Sequence, residues 1–241
     1  MKISVIVPAF NEEKLIAASL RTMQEALGSF ARRGWETEIV VCDNNSSDAT
    51  ADLARAGGAR VVFEPVNQIA RARNTGAGAA EGEWFIFVDA DSHPTPELFD
   101  DVATQIESGR CLAGGCAIRF DGRHFQADCA CGLWNWVSRW TKWAAGAFIF
   151  CEASAFRTVG GFNVELFASE EIDLSKRLKK LARSSGKKMV ILRRHPLLTS
   201  SRKVRLYSLG HMAAFLGKLI LRPRQTLTNR EACSYWYDGR R

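Results

Sequence analysis

Two carboxylates, Asp89 and Asp91, close the run Phe85-Ile86-Phe87-Val88-Asp89-Ala90-Asp91. The four apolar residues ahead of them, two aromatic and two β-branched, predict a fully buried strand. Side chains at i and i+2 of an extended segment share a face, so both carboxylates can address one site. Held close, they repel unless a proton or a cation lies between them. An oxygen-only pair suits Mg²⁺ or Mn²⁺ shared with a substrate phosphate. His93, two residues on, falls on the same side and is a candidate third ligand. An acidic turn that caps the next helix is the simpler alternative.

The elements around this pair decide what it can meet. The first half of the chain alternates strand and helix. Strands are expected at 3–7, 38–42, 60–63 and 84–88, with helices at 12–27, 49–56, 70–80 and 96–108. Gly28 is read as the stop of the first helix. This alternation calls for an α/β fold with a mostly parallel central sheet and helices on both faces. Ligands in such sheets sit beyond the carboxyl ends of the strands. Loops 8–12, 43–46 and 89–93 all lie there and are expected to converge on one crevice. In the second half a strand is expected at 111–119, a helix at 128–143, a turn at Val159-Gly160-Gly161-Phe162, an amphipathic helix at 171–181, a short strand at 189–192 and a helix with an apolar face at 205–221.

With 241 residues, 46% hydrophobic and 24% charged, the chain has the composition of an ordinary globular protein. One domain over 1–241 is expected. The net charge of +7 suits an anionic small substrate or an anionic membrane face. No nucleic-acid module is recognisable, so no nucleic-acid partner is expected. Seven scattered cysteines, an odd number without zinc-site spacing, argue for reduced thiols and a cytoplasmic location. Met1-Lys2 leads straight into the first strand, so no cleavable leader is expected.

Several motifs resemble those of the family 2 glycosyltransferases, whose nucleotide-sugar transferase fold is called GT-A. Val5-Ile6-Val7-Pro8-Ala9-Phe10-Asn11-Glu12-Glu13 is similar to that family's opening strand and loop. Val41-Cys42-Asp43-Asn44-Asn45-Ser46-Ser47-Asp48 resembles its second loop, Ala72-Arg73-Asn74-Thr75-Gly76 its third signature, and Val88-Asp89-Ala90-Asp91 its metal motif. Val159-Gly160-Gly161-Phe162, followed by Ser169-Glu170-Glu171-Ile172-Asp173-Leu174, resembles the acceptor-side block. Leu198-Thr199-Ser200-Ser201-Arg202-Lys203 resembles a segment of a poorly characterised bacterial branch.

The resemblance implies a metal-dependent, inverting glycosyltransferase. It would move a sugar from a nucleotide-diphosphate donor, UDP- or GDP-linked, to a hydroxyl acceptor such as a lipid-linked one. Residues 1–110 would form the nucleotide-sugar-binding half, 111–205 the acceptor half, and 206–241 an amphipathic helix and tail. Pro8, Phe10, Glu12, Asp43, Arg73 and Asp89 would bind the nucleotide. Asp89, Asp91 and His93 would hold Mg²⁺ or Mn²⁺. Glu171 would be the catalytic base; nothing but the resemblance selects it over Glu170 and Asp173. Arg119, Arg123, Arg202 and Lys203 are spare cations for a lid over the diphosphate.

Three departures stand out. Asn44 replaces an Asp common in relatives, Glu171 replaces an Asp, and the Gln-x-x-Arg-Trp run of processive synthases is missing, which favours single addition. Two alternatives remain: a nucleotidyltransferase, which the glycine-free first loop disfavours, and a catalytically inactive nucleotide-sugar-binding protein.

Four of the seven tryptophans fall in Trp134-Asn135-Trp136-Val137-Ser138-Arg139-Trp140-Thr141-Lys142-Trp143. Burial, a sugar-stacking platform and a peripheral membrane contact each account for them. The helix at 205–221 offers a membrane or homodimer contact and is too short to span a bilayer.

Overall fold

The computed structural model describes residues 1–122, 125–202, 223–233 and 237; for 125–130, 223 and 224 it describes the backbone alone. The first half runs β1 (Lys2–Ala9), α1 (Ile16–Ala31), β2 (Glu36–Asp43), α2 (Thr50–Ala56), β3 (Arg60–Phe63), α3 (Ile69–Ala79) and β4 (Trp84–Val88). It continues through β5 (Ser92–His93), α4 (Pro96–Glu107), β6 (Cys111–Phe120), α5 (Phe125–Thr141), β7 (Phe148–Glu152), α6 (Ala153–Thr158), α7 (Glu170–Ser184), β8 (Lys188–Thr199) and α8 (Pro223–Leu227). The eight strands form one sheet in the order β3-β2-β1-β4-β7-β6-β8-β5. Strands β3, β2, β1 and β4 are parallel, as expected. β7 enters antiparallel between β4 and β6 and joins the two halves of the chain in one sheet.

Alternation along the strands fills a layer on each face. Ile3, Val5 and Val7 of β1, with Trp84, Ile86 and Val88 of β4, pack against Leu20, Met23 and Phe30 of α1 and Phe99 of α4. Ile6, Phe85 and Phe87 face the other way, toward Ala70 and Ala77 of α3 and Leu174 and Leu178 of α7. The period of two that turns Phe85 and Phe87 to this second face also carries Asp89 there.

Two elements, α1 and β8, differ most from their expected bounds. α1 begins four residues late, because Glu12 stays in the loop while its carbonyl accepts from the N–H groups of Leu15 and Ile16. α1 also runs on through Gly28 to Ala31. Phe30 holds that last turn, with its ring 5.3 Å from Phe99 and 5.8 Å from Trp35; this burial outweighs the helix cost of one glycine. β8 extends to Thr199 rather than stopping at 192. Its pairing with β6 is interrupted between Leu192 and Leu197, and Pro196, which has no N–H to donate, sits in the gap. The helix expected at 205–221 lies outside the described residues. Among the described residues no helix is long and apolar enough to cross a membrane.

Candidate active site

The three loops meet as expected. Asn11, at φ +52°, donates its N–H to Ser46 Oγ and accepts from Ser47 N. Glu12 N donates to Thr50 Oγ1 at 2.7 Å. The first and second loops are thus laced together. Asn44 ties the second loop to a further connection, residues 64–68 between β3 and α3. Its Nδ2 donates to the carbonyls of Glu64 and Val66, and its Oδ1 accepts from Gln68 N. The cleft they frame, about 530 Å³ and open to solvent, is lined by Pro8, Phe10 and Glu12 from the first loop and Asn44 from the second. Asp89 and Asp91 form a further part of the wall, and Tyr237 faces them from the C-terminal segment.

Behind Asp89 lies a buried cluster of charge. Arg73, 3% exposed, is brought close by Gly76 one turn along α3: a Cβ there would stand 2.7 Å from Ile6 Cγ2. Its Nη2 donates to Asp89 Oδ1 at 2.9 Å and to the Gly146 carbonyl at 2.8 Å, and its Nη1 donates to Glu170 Oε1 at 2.7 Å. The guanidinium also stacks over Phe162, 5.1 Å from the ring centroid. Burial works against its charge, but Asp89, Glu170 and Glu171 hold its pKa above the ordinary value. One arginine therefore joins the strand-end carboxylate to the first turn of α7. The turn before α7 is shaped to meet it. Gly161, at φ +68°, packs its backbone on Asn74 of α3, and Ser169, at φ +62°, starts the helix in a left-handed conformation rare for a residue with a Cβ.

Glu171 follows Glu170 into this cluster. A Cβ on Gly146 would lie 3.6 Å from the Glu171 Cδ, so only a residue without a side chain leaves space beside this carboxyl. The side chain keeps some contact with solvent. Even so, the surrounding protein and the charge of Glu170 push its carboxyl up to about 8, with Arg73 pulling the other way. Of these two adjacent carboxyls, one is paired to arginine and the other can exchange a proton near neutral pH.

The front of the cleft holds a second arginine. Arg202, just past β8, donates to both oxygens of Glu12 at 2.9 and 3.0 Å and lies 3.5 Å from Asp91 Oδ2. A guanidinium drawn in among carboxylates shows that this corner attracts positive charge. The donor set would fit a hard divalent cation: Asp89 and Asp91 offer carboxylate oxygens on one wall, and Mg²⁺ or Mn²⁺ bound by one or two carboxylates takes its other ligands from water and phosphate.

The remaining expected residues take other places. Asp43 is buried, and its Oδ1 accepts from Ser46 N in its own turn; Asn44 lines the cleft beside it. His93 lies in β5, not in a loop, with Nδ1 3.5 Å from Thr22 Oγ1 of α1. Among the described residues no three His, Cys, Asp or Glu side chains group closely enough to hold a metal. Arg119 is exposed on β6; Arg123 and Lys203 lie outside the described residues. Asp173, the rival base, is paired with Arg177 at 2.6 Å.

Two contributors were not foreseen. Glu170, in the sequence only a rival to Glu171, is the buried partner of Arg73. Tyr237 was counted with the tail, yet it lines the cleft and donates to the Phe167 carbonyl at 2.9 Å. The acidic pair opening an amphipathic helix was a signal for the first; nothing local marks the second.

Comparison with known proteins agrees with this geometry. The chain is 33% identical over 117 residues to the poly(ribitol-phosphate) β-N-acetylglucosaminyltransferase TarS of Staphylococcus aureus, a stretch covering 44% of this chain and 19% of that protein. It is 30% identical over 123 residues to a dolichol-phosphate mannosyltransferase of Pyrococcus furiosus, covering 48% of this chain and 33% of that one. The matched stretch is thus a third or less of these relatives' length. In fold, the chain is similar to the mannosyltransferase PcManGT from Pyrobaculum calidifontis in complex with GDP-Man and Mn²⁺, with a TM-score of 0.65, 18% identity, and 98% of this chain and 73% of that one covered. It is likewise similar to S. aureus TarS 1–349 in complex with UDP-GlcNAc, with a TM-score of 0.63, 21% identity, and 83% and 58% covered. The fold is that of the GT-A glycosyltransferases. The family model for glycosyl transferase family 2 matches residues 4–139, more than half of the chain, and the protein belongs to that family.

Proposed function

We propose that the protein transfers a sugar from a nucleoside-diphosphate donor to a hydroxyl acceptor in one in-line displacement that inverts the anomeric centre. The observation that carries this reading is the Arg73 bridge. It sets a strand-end carboxylate facing the cleft, Asp89, beside an acceptor-side pair, Glu170 and Glu171, that is not consumed by the front of the site. Glu171 removes the proton from the acceptor hydroxyl as that oxygen attacks. Pro8, Phe10 and Glu12 frame the donor, and Asp89 and Asp91 would hold Mg²⁺ or Mn²⁺. The cation, when bound, offsets the charge that develops on the departing diphosphate. The complexes of similar fold carry UDP-GlcNAc in one case and GDP-Man in another, so both donor classes belong in the test. The described cysteines are buried, and burial pushes the thiol of Cys42 up to about 12. Unreactive reduced thiols suit a cytoplasmic location.

Calorimetry with UDP and GDP, with and without Mn²⁺, tests the donor side. Metal should strengthen binding of one of them, and Asp91→Ala should remove that strengthening; equal enhancement in both proteins overturns the assignment. A panel of UDP- and GDP-sugars then reads turnover. Release of nucleoside diphosphate with a glycosylated acceptor supports transfer. Pyrophosphate release would mean a nucleotidyltransferase, and binding without turnover an inactive relative.

A further inference from the structure

We infer that the exposed face of α5 is a docking surface for an anionic lipid bilayer. Leu133, Trp136 and Trp140 are 64%, 57% and 68% exposed. Their spacing of three and four residues puts them on one side of the helix, and the two indole rings lie 6.3 Å apart. The opposite side of α5 is anchored. Asn135 accepts from Ile118 N and donates to the Ile118 carbonyl, and Cys131 donates to the same carbonyl. The tryptophans are therefore presented outward by a helix fixed to β6, and burial does not account for them.

The charges around this face select its occupant. From residue 129 to 151 the sequence holds Arg139 and Lys142 and no Asp or Glu. α7 adds more positive charge: Lys176 Nζ sits 4.9 Å over the Trp143 ring, and Lys179 Nζ donates to the Thr141 carbonyl. Lys176, Lys180 and Arg183 form an exposed basic strip along that helix. An apolar face with indoles at its surface and lysines and arginines beside it matches a bilayer interface. There the rings enter the headgroup region and the cations meet anionic lipid. A protein partner of ordinary composition would leave this excess positive charge uncompensated. The face also sits near the chemistry. Gly146, whose carbonyl accepts from Arg73, is six positions after Trp140, and extended chain of that length spans at most about 22 Å. Docking through α5 would bring the acceptor side of the site to the membrane surface. Vesicle binding needs neither donor nor acceptor, so this inference stands or falls apart from the transfer reading.

The test is flotation of the full chain with phosphatidylglycerol and with phosphatidylcholine vesicles at low and high salt. The protein should float with the anionic vesicles at low salt, and brominated acyl chains should quench part of its tryptophan emission. The double variant Trp136→Ser/Trp140→Ser should lower the partition coefficient by about tenfold or more while its circular dichroism and melting temperature stay those of the parent. Arg139→Glu/Lys142→Glu should abolish the preference for anionic lipid. Failure of the parent to float overturns the inference, as does unchanged flotation of the tryptophan variant. So does a change of the variant from dimer to monomer by light scattering with no effect on vesicles, which would make this face a contact between copies of the chain.

Discussion

Arg73 and Glu170, 97 residues apart in sequence, are joined at 2.7 Å in the interior of the molecule. The pair stitches α3, in the first half of the chain, to the first turn of α7, in the second. Because Arg73 also holds Asp89, a shift of either helix is felt at both ends of the site.

This arrangement predicts a large loss of stability when one partner is removed. Arg73→Met should leave Glu170 buried without a partner and cost about 3–5 kcal/mol, the scale for breaking a buried ion pair. Urea unfolding measures it. The double variant Arg73→Met/Glu170→Gln should recover part of the loss, because no buried charge is then left alone. If the double variant is as unstable as the single one, the loss arises from packing against Phe162 and not from charge.

Glu171 gives a prediction with a pH sign. The folded chain keeps a proton on this carboxyl between its ordinary value of 4.5 and about 8, whereas the unfolded chain has released it. The folded state then binds more protons, so stability falls as pH rises through that window. Glu171→Gln, which has no proton to lose, should melt at a higher temperature than the parent at pH 8 and show a flatter dependence on pH. The same group must be ionised to act as a base, so the rate should rise with pH toward about 8. Turnover of Glu171→Gln should fall by about 10²-fold or more, with donor affinity kept. That split marks an interaction used only in the transition state. A variant that is slow but no more stable would place the buried charge elsewhere.

Much of the donor side was legible because its signals are local. Asp89 and Asp91 are two residues apart in the turn that follows β4, and alternating strands and helices fix where strand ends lie. The convergence of loops 8–12, 43–46 and 89–93 on one cleft followed from topology alone. What could not be read depended on distant contacts. Nothing near Glu170 reveals that Arg73 will meet it. Gly28 reads as a helix stop until Phe30 finds Phe99. Asp43 carries a cleft-facing motif, yet its side chain closes its own turn. The tryptophans left burial, sugar stacking and lipid open, because helical spacing shows which of them share a face but not what that face meets.

Tyr237 shows the reach of the C-terminal segment. Phe167 is held from two directions: its N–H donates to the Leu227 carbonyl at 2.7 Å, and its carbonyl accepts from the Tyr237 hydroxyl at 2.9 Å. Phe167 stands two residues before Ser169, so this grip sets the entry to α7. Tyr237→Phe keeps the ring and loses the hydrogen bond. It should lower kcat several-fold with little change in donor affinity, whereas Tyr237→Ala, which also removes a wall of the cleft, should weaken donor binding as well. Equal effects of the two variants on both parameters would mean that the hydroxyl positions nothing.

Arg202 carries the last prediction. Its guanidinium binds both oxygens of Glu12 and stands 3.5 Å from Asp91, so it already offers positive charge where a divalent cation would bind. Two cations so close repel by an amount worth about 1 kcal/mol in water and several times more where solvent is scarce. Arg202→Gln should therefore tighten Mn²⁺ binding to the nucleotide-free protein by about tenfold. A nucleoside diphosphate changes the balance, because its phosphates supply negative charge that Mn²⁺ and Arg202 can share. In its presence the substitution should weaken binding rather than strengthen it. Opposite signs in the two titrations would identify Arg202 as a cation that gives up Glu12 for the diphosphate when donor and metal arrive together. Weaker Mn²⁺ binding in both titrations would show instead that Arg202 only holds the carboxylates in place.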